Sequence, residues 1–97
     1  MLFVVRFTDK PDSLAIRRKF LPAHIEWLDL HRDTILVAGS LRTEPGAVPV
    51  GGLWIVEAES KEAVETLLRE DPFWTQGLRQ GYEILHWSKA SERKVLV

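Results

Sequence analysis

Two hydrophobic rhythms alternate along this chain. Leu2 to Thr8 is a run of apolar, β-branched and aromatic residues that stops at Asp9-Lys10-Pro11-Asp12, which predicts a strand closed by a turn. From Ser13 to His31 the period changes. Leu14, Leu21, Ile25 and Leu28 recur at helical spacing, and Pro22 is expected to kink the segment or to open its second half. Thr34 to Leu41 and Gly52 to Ala58 return to strand character, and the prolines and glycines of Arg42 to Gly51 predict a loop or long hairpin between them. Ser60 suits the N-cap of a helix over Lys61 to Glu70, where Ala63, Val64, Leu67 and Leu68 form one stripe. That helix should end near Asp71, because Pro72 biases its predecessor away from helical angles. A short aromatic segment, Phe73 to Gly77, leads to a last strand, Tyr82 to Trp87, and a charged tail, Ser88 to Val97, that ends in Val-Leu-Val.

The order βαββαβ predicts an α+β fold of the ferredoxin-like kind, an antiparallel sheet with two helices on one face. A sheet covered on one side should alternate apolar and polar residues. Ile35-Leu36-Val37-Ala38 and Leu53-Trp54-Ile55-Val56 are instead apolar at successive positions, so both faces of these strands call for burial. Two helices cover only one. A two-fold homodimer, sheet against sheet, would cover the other; so would the Arg42 to Gly51 loop or the tail folded over it.

Length and charge narrow the field. Ninety-seven residues predict one domain, and 13 basic against 14 acidic residues leave a net charge of −1, which disfavours nucleic acid and anionic membranes as partners. The absence of cysteine excludes disulfides, thiolate metal sites and iron–sulfur clusters. No basic region precedes the first apolar run, and no stretch nears the roughly 20 apolar residues of a membrane span, so a cytoplasmic protein is expected.

His24 follows Phe20 and Leu21 by a turn and precedes Trp27 and Leu28 by a turn, which puts it on or beside the buried stripe of its helix. Asp71, three and four residues after Leu68 and Leu67, would continue the buried stripe of the second helix at the negative end of its dipole. A carboxylate there needs a cation or several donors. If both helices lie on the same sheet face, each of the two residues is a partner for the other. The same pattern also fits a buried histidine and a helix-terminal aspartate satisfied separately by backbone groups.

Several fragments together resemble a known family. Asp9-Lys10-Pro11-Asp12-Ser13, Pro22-Ala23-His24 with Leu28, Ala38-Gly39, Glu57-Ala58-Glu59-Ser60 and Asp71-Pro72 follow the order and spacing of the YciI-like proteins (YCII-related domain) over roughly residues 1 to 88. The resemblance implies a ferredoxin-like fold that assembles as a dimeric α+β barrel. It also implies an enzymatic His–Asp pair at His24 and Asp71. One branch is similar to dehalogenating enzymes acting on chlorinated hydroxylated aromatics. Phe73-Trp74 departs from the pattern and is expected to narrow the cleft.

Such a pair would act without a metal: Asp71 holds one ring nitrogen of His24 while the other moves a proton on a small substrate. His31 is about 10 Å from His24 along a helix, too far to share an ion, and is expected as a cation at a helix end; His86 is expected on the sheet near the dimer surface. Arg6, Ser40 and Trp74 are the candidates for substrate contact. No phosphate loop, dinucleotide fingerprint or serine-nucleophile elbow is present, so no cofactor is expected. Three classes of function fit this topology: a small lyase- or isomerase-like acid–base enzyme, a non-catalytic dimeric module that binds a small molecule, and a single-stranded RNA binder. The third is disfavoured because Gly51-Gly52-Leu53-Trp54-Ile55-Val56 lacks the basic and paired aromatic positions of RNA-recognition sheets.

Overall fold

The computed structural model describes residues 1–92. Its elements are β1 (Leu2–Asp9), α1 (Leu14–Leu30), β2 (Ile35–Leu41), β3 (Gly51–Glu57), α2 (Lys61–Leu68), α3 (Pro72–Thr75) and β4 (Arg79–Trp87). The strands form one antiparallel sheet in the order β2-β3-β1-β4, the α+β ferredoxin-like arrangement.

Alternation along the strands assigns the faces. Phe3, Val5 and Phe7 of β1 point to the same side as Trp54 and Val56 of β3, Ile35 of β2 and Ile84 of β4, where they meet Val64 and Leu68 of α2 to form the core. Trp27 and Leu28 of α1 close that core from above. The opposite side of the sheet carries Leu53, Leu85 and Trp87, with Leu85 49% and Trp87 42% exposed while the loop between β2 and β3 is in place. The loop therefore leaves Leu85 and Trp87 uncovered, while Ile55 on the same face is 9% exposed. The Val-Leu-Val end of the tail lies outside the described residues.

The elements differ from the sequence expectation in four places. Helix α1 runs through Pro22 without a break, because the proline lies on the exposed side, where water can satisfy the carbonyl left without its donor. Leu21 and Ile25, expected in the buried stripe, are 39% and 56% exposed, since α1 rests on the sheet through a face centred on His24, Trp27 and Leu28. Helix α2 ends at Leu68, and Asp71 begins a further turn, α3, instead of terminating α2. Strand β4 starts at Arg79, three residues before Tyr82, by way of a bulge. Thr8 pairs with Gly81 but Asp9 pairs with Arg79, so Gln80 is the extra residue.

Candidate functional site

Asp71 is placed by the backbone before any tertiary contact. Its φ and ψ of −63° and 130° are the extended angles a following proline favours, and Pro72 occupies the first helical position of α3, where a missing N–H costs nothing. The side chain turns back as an N-cap, with Oδ1 accepting from the Phe73 N–H at 3.0 Å. The same oxygen faces His24. The Nδ1···Oδ1 distance is 2.6 Å, with Asp71 wholly buried and the imidazole nearly so.

The two arrangements left open by the sequence thus coexist: one carboxylate oxygen caps a turn and also meets the imidazole. An ionised carboxylate only accepts, so Nδ1 is the protonated nitrogen and donates to Asp71. Nε2 is left as the acceptor of the neutral ring. Phe73 stacks on the imidazole, with centroids 3.9 Å apart and planes 13° from parallel, which fixes the ring from one side. His24 and Asp71 are 47 residues apart in sequence, and their bond ties α1 to α3.

His24 opens on a recess of about 220 Å³ between α1 and the end of β2, lined by Arg17, Leu21 and Ile25 of α1, by Ala38, Gly39 and Ser40 of β2, and by Arg42, Phe73 and Arg79. An apolar cavity of about 150 Å³ admits benzene, so this volume suits one substituted ring. Ser40 is in the wall, opposite Gly52 on the inner face of the sheet.

Arg6 and Trp74 lie elsewhere. Arg6 alternates onto the open face of the sheet and pairs there with Glu83, both side chains half exposed or more. Trp74 packs edge-on against Tyr82, beside the Arg69 guanidinium, on the side of α3 away from the recess. The aromatic residue that narrows the cleft is Phe73. Of the other histidines, His31 follows the last residue of α1 and lies against Trp27, while His86 lies edge-on to Phe3, on the helix-covered side and not the open one.

Two residues of the recess were not anticipated. Arg79 is 6% exposed, and its Nη1 donates to Asp9 Oδ1 at 2.7 Å; Arg17 donates through Nη2 to Asp9 Oδ2, also at 2.7 Å. Both guanidinium carbons lie 5.1 Å from the centre of the Phe73 ring. Burial pulls the Arg79 guanidinium below its ordinary pKa, opposed by its hydrogen bond and attraction to Asp9 and by the charge of Asp71, while Arg17 adds repulsion. Gly52 provides the space. A Cβ there would come within 3.1 Å of Arg79 Nη2 and of the Gly39 carbonyl oxygen. Helical spacing did contain a signal for Arg17, which precedes Leu21, His24 and Leu28 by four, seven and eleven residues and so shares their face. Among the described residues no cluster of three or more His, Cys, Asp or Glu is disposed to hold a metal, and no helix is long and apolar enough to cross a membrane.

Comparison with known proteins agrees with this architecture. The family model of the YCII-related domain matches residues 1–88. Protein YciI of Escherichia coli O6:H1 and that of Shigella flexneri are each 33% identical over 96 residues, covering 92% of this chain and 98% of theirs. Among solved structures, 5-chloro-2-hydroxyhydroquinone dehydrochlorinase (TftG) of Burkholderia phenoliruptrix AC1100, in complex with 2,5-dihydroxybenzoquinone, is similar with a TM-score of 0.82 and 29% identity, over 91% of this chain and 94% of that one. An antibiotic biosynthesis monooxygenase shares the fold at TM-score 0.54 and 18% identity, over 94% of this chain and all of its own.

Proposed function

The chain belongs to the family of the YCII-related domain, and on that premise we propose that it is a small enzyme in which His24, oriented by Asp71, moves a proton on a ring-sized organic substrate held in the recess. The observation that carries this reading is the 2.6 Å contact between Nδ1 and a fully buried carboxylate beside an open recess. The Asp71 carboxylate fixes the tautomer and stabilises the imidazolium, so Nε2 can take a proton and return it. The dehydrochlorinase, similar in fold and sequence, supports a hydroxylated, chlorinated ring as the substrate class. Loss of HCl from such a ring moves one hydroxyl proton to the carbon that bears chlorine, giving the keto tautomer, and a second to a base as the C–Cl bond breaks and chloride leaves with its electron pair. His24 is the group available to carry these protons. Ser40, in the recess wall, is a candidate hydrogen-bonding group for a ring hydroxyl.

In solution the working unit is a homodimer that covers the face bearing Leu53, Leu85 and Trp87. The test of activity is chloride release from 5-chloro-2-hydroxyhydroquinone by the wild type, His24→Ala and Asp71→Asn. The expected result is release by the wild type, and loss of at least about a hundredfold in both variants with circular dichroism unchanged. Equal rates in all three would end the acid–base reading. A second reading, a binding module without catalysis, is favoured by the fact that the His24–Asp71 bond also ties α1 to α3; it predicts ligand binding with no turnover.

A further inference from the structure

The recess is lined by charge of one sign. Its lining contains three guanidinium groups, Arg17, Arg42 and Arg79, together with His24, and no carboxylate. Behind the wall, one carboxylate, Asp9, serves both Arg17 and Arg79, and the three side chains are 11%, 3% and 5% exposed for Arg17, Arg79 and Asp9. Asp71 meets His24 and the Phe73 N–H through one oxygen, its other oxygen is buried without a hydrogen-bond partner, and its charge attracts the Arg79 guanidinium. Arg42 donates through Nη1 to the Ala47 carbonyl at 2.6 Å, a neutral acceptor that leaves its charge uncompensated.

With the imidazole neutral, Asp9 and Asp71 balance the two buried guanidiniums, so the surplus positive charge of the recess is that of Arg42 at its rim, and the lining offers an anion donors with no competing carboxylate. The fold holds these cations at the wall: Gly52 leaves the seat for Arg79, the bulge at Gln80 turns Arg79 inward, and both buried guanidinium carbons lie 5.1 Å from the centre of the Phe73 ring that stacks on the imidazole. A structural clasp between β1 and β4 would need only Asp9 and Arg79. Arg17 also ties α1 to Asp9 and, at 3.4 Å, to the Gly51 carbonyl, whereas Arg42 stands outside that clasp, and both lie on the recess.

We propose that the recess is an oxyanion site: it takes a single-ring ligand carrying a carboxylate, phenolate or enolate oxygen, with that oxygen held by Arg17, Arg42 and Arg79 and the ring against Phe73 beside His24. This deepens the acid–base reading by naming the charge of the substrate, and rests on it only for the statement that the bound molecule reacts. Guanidinium is suited to the task because its planar donors meet two oxygens at once and it stays charged at every working pH. Such a site also favours a reaction whose electron pair collects on oxygen after His24 removes a proton.

Benzoate and benzyl alcohol separate the claims, being a charged and a neutral ring of similar size. Binding of each to the full-length protein is measured by calorimetry, and the His24 ring resonances are followed by NMR. The expected result is benzoate bound about tenfold or more tighter than benzyl alcohol, with that preference lost in Arg17→Gln and in Arg42→Gln. Arg42 is on the rim, so its variant remains informative if the loss of Arg17 unfolds the chain. Equal affinity for the two probes, no binding of benzoate, or benzoate binding indifferent to the folded arginine variants would each overturn the proposal. Arginine-dependent benzoate binding that leaves the His24 resonances unmoved would uphold the oxyanion site and defeat the acid–base reading. A His24-dependent turnover of a neutral substrate, with no benzoate bound, would do the reverse.

Discussion

Removing the Asp71 side chain gives the clearest measure of how the site is built into the fold. In Asp71→Ala the Phe73 N–H loses its acceptor at 3.0 Å and His24 Nδ1 loses its acceptor at 2.6 Å, both in places water does not reach. An unsatisfied buried donor costs roughly 1–3 kcal/mol, so a loss of about 4 kcal/mol is expected for the two together. Asp71→Asn keeps an amide oxygen for both donors but gives up the charge and buries an amide NH2 where Oδ2 has no partner, for about 1–2 kcal/mol. Urea unfolding followed by tryptophan fluorescence reads the difference. At a slope of about 1 kcal/mol per molar, the Ala variant should unfold about 4 M earlier than the wild type, and the Asn variant about 1–2 M earlier. Domains of this size are typically stable by about 5–15 kcal/mol, so the alanine variant will be near the edge of folding. A shift below about 1 M for Asp71→Ala would refute the claim that this carboxylate satisfies two buried donors.

The remaining predictions concern neighbouring features. Gly51→Ala should destabilise far more than Gly52→Ala, because its Cβ would lie 2.0 Å from the backbone oxygen of Phe7, whereas at Gly52 the contacts include the end of the Arg79 side chain; thermal melting of the two variants should show that order. Gly52→Ala should also weaken benzoate binding by displacing Arg79, which calorimetry on the folded variant would show or deny. Leu85→Asp, on the open face, should halve the mass seen by sedimentation while leaving circular dichroism unchanged; an unaltered mass would place the dimer contact elsewhere. Arg6→Ala removes an exposed ion pair with Glu83 on the side of the sheet opposite the recess, so monomer stability should change by no more than about 0.5–1 kcal/mol and benzoate affinity not at all.

How far the sequence could be read depends on the range of the forces involved. Strands such as Leu2–Asp9 and Gly51–Glu57 are set by local patterning and are visible at once. The residue 53–56 run is apolar on both faces; on the open one Ile55 is buried within the chain, and the exposed apolar residues are Leu85 and Trp87 of β4. The turn Pro72–Thr75 was hidden because Asp-Pro was read as a stop for the preceding helix, although an N-cap followed by proline is equally a start. Spacing could suggest His24 and Asp71 as neighbours but not bring them together, since their contact depends on how α1 and α3 are laid over the sheet. Arg79 was out of reach for a different reason. Alternation counted back from Ile84 and Tyr82 puts residue 80 inward and residue 79 outward, and no rule of periodicity announces a bulge.

That irregularity in β4 gives the fold a one-residue lever. With the bulge in place Arg79 faces inward opposite Asp9; if the strand straightened with Gln80 kept, residue 80 would take that position and the guanidinium would swing to the far side, leaving the pairing of Tyr82 through Trp87 with β1 as it is. The polarity of the cleft thus depends on whether one extra residue is bulged out or paired, with the packed interior untouched.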